Sequence, residues 1–268
     1  AEKSRTAETE VLDDVLDLDH VLDLTGVESP QLNEGIFREY DIRGIADRDL
    51  DEAVVYQLGL AIGSQAALQG QSSLTVGYDG RHSSPAIADA LTRGLIATGR
   101  NVIDIGLVQT PLLYFAIHEL GTGSGVMVTG SHNPPDYNGL KIVIAGETLH
   151  GEGIAQLKQR VITQNFVHGQ GSVSEQDVSA QYISAIVGDV AVAQPLKVVI
   201  DCGNGAGGTL APRVISELGC EVIPLFCDID GDFPNHHPDP SIASNLDDLI
   251  EAVRREDADI GIALDGDA

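Results

Sequence analysis

Apolar residues in this chain fall in short blocks that become regular near Ile36. From Asp51 to Gln69 they recur at helical spacing, which predicts a helix. A longer pattern then occurs twice. LTVGYDGRHSSPAIADALTRGLIATGRNVIDIG, from Leu74, and LKVVIDCGNGAGGTLAPRVISELGCEVIPLF, from Leu196, each read as an apolar strand, an Asp and a Gly-containing loop. A helix closed by Gly (Gly99, Gly219) and a second strand follow in both. In the first copy Ser83 or Ser84 is placed to cap the helix, with Pro85 at its first position. Strand, helix, strand at this spacing is a βαβ unit, so two copies predict two α/β domains. Ser124–Thr129 and Leu140–Ile144 read as strands flanking a loop, Leu246–Glu256 as a helix, and Asp259–Leu264 as a buried strand. GQGSVSEQD, near 170, reads as a loop, which puts the domain boundary between about 155 and 180. The working division is a linker over 1–34, one domain over 35–165 and a second over 166–268. Residues 1–34 interleave Asp and Glu with Val and Leu; a short helix is open to them, and a disordered acidic linker is the expectation.

Charge changes the list of partners. Fifteen Lys and Arg against 41 Asp and Glu give a formal net charge of −26. Such a surface repels nucleic acid and anionic lipid, so neither is expected as a partner. It also repels sugar phosphates unless a local basic site or a divalent cation reverses the field. No apolar run is long enough to span a bilayer, and the charged start of the chain does not resemble a secretory signal. Cys202, Cys220 and Cys227 form no CxxC pair and sit in or beside apolar runs. They read as small core residues of a reducing, cytoplasmic protein.

Candidate chemistry centres on GSHNPPDYNG, Gly130 to Gly139, between two predicted strands. Pro134 and Pro135 restrict the residues before them, so the loop is stiff and Ser131 is held at a fixed angle. Lys141 stands among apolar residues in LKIVI; it either snorkels to solvent or points into a site as an acid or base. His132 is a base or a loop hydrogen-bonder. The nucleophile-elbow pattern G-x-S-x-G is absent. At the far end, Asp265 and Asp267 follow a predicted strand, where ligands gather in α/β sheets. Two carboxylates split by one Gly suit a hard cation such as Mg²⁺, although D-G-D alone is a weak signal and in so acidic a chain an acidic turn is the preferred reading.

TGSHNPPDYNGLKIV resembles the phosphoserine loop of the α-D-phosphohexomutase superfamily, nearest its bacterial phosphomannomutase/phosphoglucomutase branch. IFREYDIRGI, DCGNGAGG and LDGD extend the resemblance over 36–268. It implies the first two of four domains, each an α/β/α layer with a mixed sheet between helices. It implies a phosphorylated Ser131 as phosphoryl donor and acceptor, with His132 and Lys141 assisting proton transfer. Arg43 is then expected at the reacting phosphate and Tyr40 at the substrate. Ser131, Asp265 and Asp267 become Mg²⁺ ligands. The implied activity interconverts hexose 1- and 6-phosphates through a bisphosphorylated sugar, in a monomer. The family's third Asp and its Arg fall after Ala268, so a catalytically incompetent fragment is the alternative.

Three motifs compete. GNGAGG (Gly203–Gly208) fits the dinucleotide fingerprint and would make an NAD-dependent oxidoreductase; beside the family match it reads as a tight turn. DIDGDF (Asp228–Phe233) has its Gly at the wrong place for a calcium loop and reads as a turn. FPNHHPDP (Phe233–Pro240) offers adjacent His236 and His237, which rarely share a metal, and suggests no chemistry.

Overall fold

A computed structural model describes residues 32–268, so nearly all of the expected acidic linker lies outside the described residues. The chain opens with β1 (Ile42–Ile45), α1 (Glu52–Leu68) and β2 (Ser73–Tyr78). Next come α2 (Ser84–Ile96), β3 (Asn101–Leu107), α3 (Thr110–Glu119), β4 (Gly125–Val128) and β5 (Tyr137–Ile144). After these lie β6 (Glu147–Thr148), α4 (Glu152–Ile162) and β7 (Val173–Glu175). The second half holds α5 (Ser179–Asp189), β8 (Lys197–Asp201), α6 (Ala211–Glu217), β9 (Glu221–Leu225), α7 (Asp247–Arg255) and β10 (Ile260–Ala263).

The first sheet has the order β1-β5-β4-β2-β3-β7, with β6 on β5. β2, β3, β4 and β7 run parallel, while β5 is antiparallel to β4 and β1. Alternation along the strands sorts the core into two faces. Leu74, Val76, Val126, Val128, Leu140 and Ile142 pack with α1, α2 and α4. Met127 and Val143 point the other way, to α3, and the same cluster takes in Ile183 of α5 and Val214 of α6. That shared cluster joins the two halves. The second sheet, β10-β8-β9, is all parallel, and Val199 packs against Leu249 and Ala252 of α7. Both halves are thus helix–sheet–helix layers, and the first sheet is mixed.

The repeated pattern becomes β2-α2-β3 and β8-α6-β9, each a parallel pair joined by a helix. Asp51 caps α1, its carboxylate accepting from Val54 N at 2.8 Å. Several expectations need correction. Ser83 precedes α2 but makes no capping bond: its Oγ accepts from Asn138, and Ser84 Oγ donates to Asp79. GQGSVSEQD is not only loop, because Val173–Glu175 pairs with β3 and extends the first sheet. The strand before Asp265 is an edge rather than buried, with Ile260 exposed, because β8 takes the centre of the second sheet. Among the described residues no helix is long and apolar enough to cross a membrane.

Candidate active site

β4 ends at Val128 and β5 begins at Tyr137, so the loop between them emerges at the end of the first sheet. Asp79, just past β2, organises its start. The buried carboxylate accepts from Thr129 Oγ1 at 2.8 Å, Gly130 N at 3.1 Å, Ser84 Oγ at 2.5 Å and Arg81 Nε at 3.1 Å. Arg81 is 2% exposed. Its guanidinium donates to the carbonyls of Ser131 (2.7 Å), Asn133 (2.8 Å), Pro134 (2.5 Å) and Tyr137 (3.0 Å). Burial pulls its pKa down from the ordinary arginine value, and Asp79 opposes that. Gly130 is required here because a Cβ would collide with the Arg81 guanidinium. Ser131 itself sits at φ +49°, a strained conformation for a residue with a Cβ. Surroundings that hold its N–H on Thr129 Oγ1 (2.8 Å) and its carbonyl on Arg81 keep it there.

The Ser131 hydroxyl donates to Asp265 Oδ2 at 2.7 Å. Lys141 Nζ lies 2.6 Å from Asp267 Oδ2, which also accepts from Thr110 Oγ1 at 2.6 Å. Asp265 and Asp267 come from the loop after β10, so the reactive end is assembled from both halves. The glycines of GNGAGG serve this assembly: Ala206 N donates to Gly266 O at 3.0 Å, and a Cβ on Gly205 would run into the Gly266 backbone. The space a pyrophosphate would need over that turn is therefore filled by the carboxylate loop.

Electrostatics divides the two carboxyls. Burial raises the pKa of Asp265, and the charge of Asp267 raises it further. Burial also works against the charge on Asp267, but Lys141 and the hydrogen bonds it receives outweigh this and hold it below the usual carboxylate range. The two carboxyls and the Ser131 oxygen offer only oxygen donors, the chemistry that suits a hard divalent cation. A second group, His82, Asp230 and Asp232, brings its ligand atoms within 4.8 Å of one another; two of the three residues are exposed and none neighbours Ser131 in sequence.

Of the other residues singled out in the sequence, Arg43 reaches the serine loop, donating to Gly130 O at 2.9 Å while paired with Asp41 at 2.6 Å. His132 Nδ1 lies 3.5 Å from Ser131 Oγ. Tyr40 stands apart, 71% exposed and outside the hydrogen bonds that tie the cluster together. Ser131 is 6% exposed, whereas the side chains of His132 and Asp265, 3.9 Å apart, are 58% and 27% exposed. Sequence reading missed Asp79, Arg81 and Thr110. The one available signal was YDGR, an Asp and an Arg at a strand end in a chain short of cations.

Two family models match in succession. Residues 34–168 match domain I and 180–268 match domain II of phosphoglucomutase/phosphomannomutase, both described as alpha/beta/alpha. The chain belongs to the phosphoglucomutase/phosphomannomutase family. It is 53% identical over 236 residues to a phosphomannomutase/phosphoglucomutase of Pseudomonas putida, covering 88% of this chain and 51% of the relative. It is 50% identical over 236 residues to a phosphoglucomutase of Neisseria meningitidis, covering 87% and 51%. A crystal structure of a family protein from Burkholderia thailandensis superposes with a TM-score of 0.85 at 46% identity, over 88% of this chain and 53% of that one. The chain thus spans about half the length of the curated relatives it matches.

Proposed function

We propose that this chain supplies the phosphoryl-carrying end of a phosphohexomutase, with Ser131 accepting phosphate from a hexose phosphate and returning it. The observation that carries the reading is the Ser131 hydroxyl, fixed at 2.7 Å from Asp265 in a loop whose carbonyls are pinned. In transfer to the sugar, the Oγ–P bond of phosphorylated Ser131 breaks as a P–O bond forms to a sugar hydroxyl, whose proton goes to a base. The sugar bisphosphate reorients, and its other phosphate returns to Oγ. Such transfer needs positioning and charge neutralisation more than covalent help. His132, with Nδ1 at 3.5 Å from Oγ, and Lys141 are the two candidates for that base. Lys141 is held by Asp267, and with Arg43 it supplies positive charge in an otherwise acidic molecule. Asp265, Asp267 and Ser131 would hold Mg²⁺, which supplies further charge neutralisation at the phosphoryl oxygens.

Incubation with glucose 1,6-bisphosphate and Mg²⁺, followed by intact-mass measurement, is expected to show one added phosphate, mapping to Ser131. A chain that gains none overturns the reading. The half-length match favours a second, narrower version: phosphate is taken up, but glucose 1-phosphate is not turned over in a coupled assay.

The metal assignment has its own test. A carboxyl whose pKa is raised on folding pays for its charge above that pKa, and the cost vanishes as pH falls through it. Asp265→Asn removes the cost, so without metal its melting temperature at neutral pH is expected to rise by about 2–4 °C, the response to about 1 kcal/mol. Mg²⁺ should raise the wild-type melting temperature and leave the variant unmoved. Equal responses to Mg²⁺ in both would remove Asp265 from the ligand set.

A further inference from the structure

FPNHHPDP suggested no chemistry in the sequence, yet it crosses from the second half of the molecule to the serine loop. It is anchored on Asp201, fully buried at the end of β8. One Asp201 oxygen accepts from Gly203 N at 2.9 Å, and the other lies 3.0 Å from His236 Nε2. The second ring nitrogen of His236 lies 3.0 Å from the His237 carbonyl, and the ring packs edge-on against Phe226 at 5.4 Å. Asn235 is tied to Asn204 at 2.8 Å. The segment is therefore fixed on the second sheet before it reaches across. His237 Nε2 then lies 2.5 Å from the carbonyl oxygen of His132.

That carbonyl belongs to the residue immediately after Ser131, in the His132–Asn133 peptide. The carbonyl of Gly130 is held by Arg43, and those of Ser131, Asn133 and Pro134 by Arg81, both from the first half. The His132 carbonyl is held from the second half. We infer that His237, oriented through His236 by Asp201, is a positioning residue for Ser131: it locks the serine loop in register with the half that bears Asp265. Two ties then fix successive peptides on the C-terminal side of the strained serine. Arg81 fixes the peptide from within its own half, and His237 fixes the next peptide to the opposite half. Oγ is left only a narrow range of positions against Asp265. The value of such a tie is positional, because a displacement of about 1 Å at a reacting oxygen costs rate steeply.

The inference rests on the phosphoryl-transfer reading for its consequence but not for its geometry, and the test separates the two. Hydrogen exchange read by mass spectrometry on this chain follows the peptide covering 130–138. In His237→Ala its exchange is expected to be about tenfold faster, the effect of losing one hydrogen bond. Peptides of α1 and β4 and the urea midpoint should be unchanged. His237→Gln, whose amide nitrogen falls near the Nε2 position, should restore slow exchange. Phosphate uptake from glucose 1,6-bisphosphate should slow about tenfold in the alanine variant and recover in the glutamine variant. Wild-type exchange in the serine loop of His237→Ala overturns the inference. So does faster exchange spread over the whole chain with no rescue by glutamine, which marks a merely structural residue. If the wild-type chain takes up no phosphate, the functional reading falls, and the loop exchange still decides the role of His237.

Discussion

Arg81→Met is expected to lose about 3–5 kcal/mol of stability in urea unfolding. Methionine fills much of the same space, so the loss comes from what the guanidinium held. Asp79 is left as a buried carboxylate without its cation, and four loop carbonyls lose their donor. A buried group stripped of its partner bears the full desolvation cost, which exceeds the modest gain of making the bond. Domains of this size are stable by about 5–15 kcal/mol, so the variant stands near its unfolding threshold. The pair Asp79→Asn with Arg81→Met should cost less than the sum of the two single changes, because removing both charges leaves neither stranded. A single Arg81→Met variant within about 1 kcal/mol of wild type would show that the loop is held by its prolines alone.

Ser131→Ala is expected to abolish phosphate uptake while leaving the melting temperature close to wild type. The hydroxyl makes one strong bond, to Asp265, whose carboxyl burial and Asp267 already push toward the neutral form. Loss of that donor is tolerable to the fold, whereas loss of the acceptor oxygen is not tolerable to the chemistry. His132 beside Ser131 and His237 on the His132 carbonyl are imidazoles that a phosphoryl group can also modify, so the label has to be characterised. An acid-stable phosphate that disappears in Ser131→Ala identifies the serine ester. An acid-labile one that survives the substitution would move the carrier to an imidazole and overturn the assignment.

Much of this arrangement was legible because it is local. The βαβ pattern, the proline-stiffened loop and the strand before Asp265 are each written in a few neighbouring residues, and the helices expected at 51–69 and 246–256 formed within a residue of those bounds, while α3, α4 and α5 had no counterpart in the sequence reading. Lys141 was left between surface and site by sequence reading; Asp267, 126 positions away, resolves it. Asp79 and Arg81 were not legible, because their meaning depends on carbonyls about fifty positions on, and YDGR alone is indistinguishable from a polar turn. His236 and His237 were read as idle for the same reason: the acceptor of His237 lies 105 positions earlier. Tyr40 shows the opposite limit. Its segment resembles the family's, but its ring is exposed and joins none of the hydrogen bonds around the serine, so the structure gives it no partner among the described residues from which a role could be read. The edge position of β10 also escaped, since an apolar tetrad does not reveal which strand takes the centre of a sheet.

The separation of the site's parts along the chain bears on the order in which the molecule folds. Thr110 meets Asp267 across 157 positions, Ser131 meets Asp265 across 134, and Lys141 meets Asp267 across 126. Closing such long loops is slow, and the entropy is spent before the contacts repay it. During synthesis the serine emerges well before its carboxylate partners, in a half that already has its own core. Chemical competence is therefore a late event: the first half can collapse, but its hydroxyl gains a defined neighbour only when the second sheet docks.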